Sequence, residues 1–232
     1  MPKTIQRRYN MAEKFIPTIK GFLRRHMIEL PHVIDEASGI RINGKKIRSL
    51  VFTTDVAVIK NINANAIIAV YPFTPQPVIT NAIMSAADVP VFCGVGGGIT
   101  TGKRAINLAL HAEFEGAAGV VVNAPTPNEL IREMADTIDI PIIVTVVSEK
   151  CDLEGRLQAG ASIFNVSGAS NTADIVRKIR ELYPQVPIIA TGGPSDATIL
   201  ETIEAGANAI TYTPPTPGEL FSHIMDRYRD EL

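Results

Sequence analysis

Residues 187–212 read PIIATGGPSDATILETIEAGANAITY and hold one complete structural unit. A short run rich in isoleucine (187–191) passes into Gly192-Gly193-Pro194-Ser195, then a stretch with helical spacing, then Ala205-Gly206-Ala207, then a second apolar run (208–212). A strand with one wet face would alternate polar and apolar residues. These runs are nearly continuously apolar, so they read as strands buried on both faces. Pro187 stands where a strand begins, a position that tolerates a missing N–H donor. Gly206 follows the helical stretch, where glycine can adopt the left-handed conformation that ends a helix. Strand, helix and strand in that order imply parallel pairing through a right-handed crossover.

The same unit recurs outward along the chain. DIPIIVT at 139–145 nearly repeats QVPIIAT at 185–191, two units apart. Apolar, largely β-branched runs fall at 49–53, 66–71, 90–94, 119–123, 141–145, 162–166, 187–191 and 208–212, which makes eight. Amphipathic stretches lie between them. One is 102–115, with Ile106, Leu108, Leu110 and Phe114 on its apolar side; another is 171–182, with Ile175, Val176 and Ile179. An open doubly wound sheet is compatible with this alternation. Eight units without a second domain favour an α/β fold of the closed (β/α)8 TIM-barrel type, with an N-terminal helical extension. Two regions follow: 1–48, a helix and hairpin extension packing on the barrel, and 49–232, the barrel. In the extension, 11–27 places Phe15, Ile16, Ile19, Phe22 and Leu23 at helical spacing, with Lys14, Lys20, Arg24 and Arg25 opposite. Such a helix would cover the barrel's bottom or pack on a second subunit, making a homodimer. Asn43-Gly44 within 39–46 (GIRINGKK) is a hairpin-turn signal.

Composition narrows the function classes. The chain is 46% hydrophobic and 20% charged with a net charge of −2, an ordinary globular balance offering no basic surface for nucleic acid. No apolar stretch approaches the roughly 20 residues of a membrane span, and residues 1–30 lack a continuous signal-peptide core. Cys93 and Cys151 form neither a disulfide framework nor a metal-ligand spacing, so a reducing cytoplasm is the expected setting.

In a barrel of this class the site lies at the C-terminal ends of the strands. The last three strand ends run into Ser167-Gly168, Thr191-Gly192-Gly193 and Thr213-Pro214-Pro215. Glycines let backbone N–H groups approach an anion, and a helix starting at Pro194 adds a favourable partial charge. Ser167, Gly168, Thr191, Gly192, Gly193 and Thr213 are therefore the candidate phosphate-binding residues. Asp55, directly after the first strand, is either an acid–base group at the mouth or the N-cap of a helix starting at Val56. Glu149 and Lys150, past the fifth strand, are candidate base and electrostatic clamp. Asn123 and Asn165, at strand ends, suit hydrogen bonds to a substrate, and Tyr71 and Tyr212 suit the lining of the mouth. Gly94 to Lys103 resembles the first part of a nucleotide P-loop, but Arg104 stands where the magnesium-binding hydroxyl belongs. That segment reads better as a flexible loop over the barrel mouth, with Lys103 reaching toward the ligand's negative charge, or as a plain structural loop. None of His26, His32, His111 and His223 ends a strand, so no metal site is expected. The strands contain no lysine, which argues against a Schiff-base aldolase.

The stretch 190–213, ATGGPSDATILETIEAGANAITYT, resembles the end of the ribulose-phosphate-binding barrel superfamily. That group includes barrels of tryptophan and histidine biosynthesis, thiamin phosphate synthase and phosphosugar epimerases. The resemblance implies that Gly192 and Gly193 contact a phosphate and that Asp55 occupies an acid–base station. It departs from the pattern after the eighth strand, where Pro214 and Pro215 remove two amide donors. The leading expectation is an enzyme that acts on a small phosphorylated metabolite, by proton transfer (isomerase or epimerase) or as a carbon–carbon lyase. The alternatives are a phosphometabolite-sensing regulator without chemistry and an oxidoreductase holding FMN by its phosphate; otherwise no cofactor is expected.

Overall fold

A computed structural model describes residues 27–230, together with Pro17, Ile19 and Gly21. The predicted helix at 11–27 therefore lies outside the described residues. After a 3₁₀ turn (His32–Glu36) come a hairpin, β1 (Ile40–Ile42) and β2 (Lys45–Ile47), and then eight strand–helix units. These are β3 (Ser49–Phe52) with α1 (Val56–Lys60), β4 (Ala66–Ala69) with α2 (Pro77–Ala86), β5 (Val91–Gly96) with α3 (Gly102–Phe114), and β6 (Gly119–Val122) with α4 (Asn128–Ala135). They continue with β7 (Ile142–Val146) and α5 (Leu153–Gln158), β8 (Ile163–Val166) and α6 (Thr172–Leu182), β9 (Ile188–Thr191) and α7 (Asp196–Glu204), and β10 (Ala209–Tyr212) and α8 (Pro217–Asp230). The eight strands β3–β10 pair in parallel with their neighbours in sequence, and β10 returns to β3, closing the barrel. All eight predicted runs are strands of it.

The core has two layers, as the two-sided burial of the strands requires. Inside the barrel sit Leu50, Ala66, Ile68, Phe92, Val121, Ile143, Ile163, Ile189 and Ala209. Outside it, the alternate residues of each strand meet the helices in a larger cluster. The barrel's N-terminal end is filled by the hairpin, because Ile40 and Ile47 belong to the inner cluster and Ile42 packs against it. The turn forms at Asn43 and Gly44 with φ of 47° and 81°, a left-handed pair that these two residues tolerate. Gly39 N–H donates to Asn208 O, tying the hairpin to the start of β10.

One helix face differs from its sequence reading. Phe114 in α3 is 78% exposed, and the buried residues are Ala105, Ile106, Ala109 and Ala112. Small side chains let this helix lie close on β5 and β6, so its packing face is defined by alanines that carry little weight in a hydrophobic pattern. Among the described residues, no helix is long and apolar enough to cross a membrane.

Candidate functional site

Strand alternation sets the floor of the barrel mouth. Counting in twos from Leu50, Ile68, Phe92 and Val121 leads to Phe52, Val70, Gly94 and Asn123. The same count from Ile143, Ile163, Ile189 and Ala209 leads to Thr145, Asn165, Thr191 and Thr211. One half of the mouth is thus apolar or bare except for Asn123, and the other carries amides and hydroxyls at all four positions. Thr145 and Asn165 are register partners, and Asn165 Nδ2 donates to Thr145 Oγ1 at 3.5 Å. Thr191 Oγ1 donates to Val166 O at 3.4 Å and lies equally far from Thr172 Oγ1. Asn165 Oδ1 and Thr211 Oγ1 are buried with no partner among the described residues. An unsatisfied buried polar atom costs about 1–3 kcal/mol, so both have hydrogen-bonding capacity that the chain itself leaves unused.

The loops after β8, β9 and β10 line one cavity of about 770 Å³, which brings together Ser170, Thr172, Thr191, Gly192, Gly193 and Thr213. Each glycine has a packing reason to be there. A Cβ on Gly192 would come within 2.7 Å of Ile199 and 2.8 Å of Ile210, and Gly193 has φ +78°. Glycine alone is therefore no sign of a ligand; the state of the amides is. Gly168 N–H is taken by Thr172 Oγ1 at 3.0 Å. Among the described residues, no chain atom accepts from Gly192 N–H or Gly193 N–H. Ser195 N-caps α7 in a capping box with Thr198, leaving the N–H groups of Asp196 and Ala197 at the open end of the helix. Asp196 also lines this cavity and sets a carboxylate beside those donors.

A second cavity of about 570 Å³ occupies the mouth over β3 and β4, lined by Phe52, Asp55, Tyr71, Asn123, Thr213 and Pro214 among others. Thr213 borders both cavities. Asp55 does cap α1: its Oδ1 accepts from Ala57 N–H at 2.7 Å and Val58 N–H at 3.2 Å. Its Oδ2 has no partner among the described residues. Asp55→Ala should therefore cost about 1 kcal/mol in urea denaturation, whereas Asp55→Asn, which keeps a capping oxygen, should cost no more than a few tenths. Tyr71 Oη accepts from Gln76 N–H at 2.8 Å, so its own proton stays available.

A third, smaller cavity of about 180 Å³ lies between the loop at 71–75 and the glycine-rich loop after β5. That loop is held rather than loose. Gly97 N–H donates to Thr100 O, Asn123 N–H donates to Gly96 O, and Thr100 Oγ1 meets Thr74 Oγ1 at 3.2 Å. Lys103 is exposed in the first turn of α3 and lines none of the three cavities. Glu149 and Lys150 also lie away from them: Lys178 of α6 donates to Glu149 O at 3.0 Å and approaches its carboxylate at 3.7 Å. Cys93 is buried, which pushes its thiol up to about 12 and removes it as a nucleophile. The titratable residues lining the three rim cavities are Asp55, Tyr71, Asp196, Glu201 and Tyr212; no lysine, arginine or histidine lines them. Among the described residues, no three His, Cys, Asp or Glu gather to hold a metal ion. Sequence reasoning passed over Phe52 and Thr211, although counting in twos along β3 and β10 reaches both.

No family model matches the chain. Curated relatives include 4-hydroxy-tetrahydrodipicolinate synthase of Gluconacetobacter diazotrophicus, 30% identical over 137 residues, covering 52% of this chain and 44% of that protein. The enzyme of the same name from Acidiphilium cryptum is 36% identical over 105 residues, covering 39% of this chain and 35% of that one. The chain thus spans less than half the length of these relatives. Among solved structures, phosphoenolpyruvate phosphomutase from Streptomyces platensis subsp. rosaceus superposes with a TM-score of 0.59 at 13% identity, covering 85% of this chain and 83% of that one. The 4-hydroxy-tetrahydrodipicolinate synthase from Methylacidiphilum fumariolicum gives 0.56 at 16% identity, covering 71% and 67%. Thiamine phosphate pyrophosphorylase from Pyrococcus furiosus gives 0.52 at 19%, covering 71% and 84%. At such identities the likeness is one of fold: this chain is a (β/α)8 barrel.

Proposed function

We propose that the chain is a lyase that binds a small oxyanion-bearing metabolite, a carboxylate or a phosphate monoester, across the C-terminal rim of its barrel. The observation that carries this reading is the pair of unpartnered amides, Gly192 and Gly193, in the loop between β9 and the open N-terminus of α7, in a hydroxyl-lined cavity. Such a helix start is a ready anion site. Through Thr213 it adjoins the cavity that holds Asp55, so an anchored ligand would reach a carboxylate. Lyase chemistry is favoured by the sequence likeness to the 4-hydroxy-tetrahydrodipicolinate synthases over half of the chain.

With no lysine in the barrel strands, bond cleavage beside a carbonyl would proceed without a Schiff base. Asp55 would accept the hydroxyl proton of a β-hydroxy carbonyl substrate through Oδ2 as the Cα–Cβ bond breaks, and would return it to the α-carbon of the enolate so formed. Tyr71 Oη–H and the Asn123 amide, which line the same cavity, would donate to the carbonyl oxygen as it gains negative charge. Inorganic phosphate titrated into 15N-labelled protein should shift the amides of Gly192, Gly193 and Asp196 saturably. Turnover of a panel of small 2-oxo acids and phosphorylated ketones should be lost in Asp55→Asn while those shifts persist. Treatment with an α-keto acid and borohydride should leave the mass of the chain unchanged. A reduced adduct, or amides indifferent to phosphate, would refute the reading. A binding protein without turnover is the second reading, favoured by the absence of lysine, arginine and histidine from the rim cavities.

A further inference from the structure

Asp55 is the one acidic side chain that lines the mouth cavity, and no lysine, arginine or histidine lines that cavity with it. The cations near this part of the chain are engaged elsewhere: Lys60 pairs with Asp88 at 2.6 Å, and Arg48 lies 4.0 Å from Asp35. One oxygen of Asp55 is spent on the cap of α1, and the other is without a partner among the described residues. The cavity is open to solvent; Phe52, Val58, Val70, Tyr71, Pro72 and Pro214 give it apolar surface, and hydroxyls of Thr53, Thr54, Thr213 and Thr216 and the Asn123 amide complete the lining. Phe52 is 41% exposed at the end of a strand whose other members are buried, so an aromatic ring is left open at the mouth.

A carboxylate in such a setting has no cationic neighbour, and charge matching decides what suits it. An anionic group would be repelled, and a neutral hydroxyl would leave the charge unanswered. A protonated nitrogen gains a charge-assisted hydrogen bond, and aromatic faces such as those of Phe52 and Tyr71 add attraction for a cation. We infer that the cavity around Asp55 is a subsite for a protonated or N–H-rich nitrogen carried on an apolar or ring-shaped body. The metabolite is then zwitterionic, with its oxyanion at Gly192 and Gly193, its nitrogen at Asp55, and its middle passing Thr213. This rests on the rim being the ligand site, as proposed above.

The test uses the 15N-labelled full chain and two probes of one shape, benzylammonium and benzyl alcohol, read from amide shifts at Thr54, Asp55 and Thr213. Benzylammonium should bind about fivefold or more tightly than the alcohol. Asp55→Asn, which retains the cap, should bring the ratio close to one, and Phe52→Leu should lower it without abolishing it. Equal binding of the two probes by the unaltered chain, or a preference that survives Asp55→Asn, overturns the inference. The phosphate titration of Gly192 and Gly193 is read on the same samples. Its failure beside an intact ammonium preference removes the anion anchor and leaves the Asp55 subsite standing; the opposite outcome removes the subsite alone.

Discussion

Phe92→Ala is expected to lower the free energy of unfolding by about 3–5 kcal/mol. Phe92 is fully buried and is the largest side chain in the barrel interior. Its register partner on β6 is Gly119, and a Cβ built on that glycine would come within 3.0 Å of the phenyl ring. The ring thus fills space that Gly119 leaves open. Truncation removes its transfer energy and also leaves a void, because the closed ladder of eight strands prevents the walls from collapsing inward. Urea denaturation followed by circular dichroism measures the change. A loss below about 1 kcal/mol would mean that the interior can repack, contrary to the rigidity assigned to it.

Gly97→Ala is expected to be nearly as damaging. Gly97 has φ +99°, and its Cβ would stand 1.9 Å from Thr126 Oγ1 and 2.8 Å from Asn123 N. Thr126 is fully buried, and its hydroxyl donates to Asn123 O at 2.7 Å, so it has nowhere to move. Backbone strain of about 1–3 kcal/mol adds to the steric overlap, giving a total loss of about 3–4 kcal/mol. Adding Thr126→Ala should relieve the overlap with the hydroxyl, but neither the approach to Asn123 N nor the strain, recovering part of the stability. A double-mutant cycle measures that coupling, and strict additivity would count against the contact. Because Asn123 anchors this loop and borders two cavities, the variant should also weaken any ligand that touches Asn123.

The architecture was legible because barrel strands are buried on both faces and three helices, α3, α5 and α7, end in glycine–alanine turns at Gly116, Gly160 and Gly206. The pattern fails where size matters more than hydrophobicity, as with the alanine face of α3 and its exposed Phe114. The site was legible as stations but not as directions. Strand ends marked Asp55, Asn123, Asn165 and Thr213, yet nothing local says that Glu149 meets Lys178 across to α6, or that Thr172 takes the Gly168 amide. Those outcomes depend on helices that begin after the loop in question. Conversely, Asp55 both caps α1 through Oδ1 and lines the mouth cavity, so the cap does not compete with the acid–base role proposed for it.

The pairing of β10 with β3, together with the hairpin held to Asn208, has a kinetic corollary. The contacts that complete the cylinder join residues from opposite ends of the chain, so they carry the largest loop-closure entropy and should form last. Until then β3 and β10 expose unpaired backbone edges open to pairing with another chain. Refolding at high protein concentration should therefore lose yield to aggregation at the closing step.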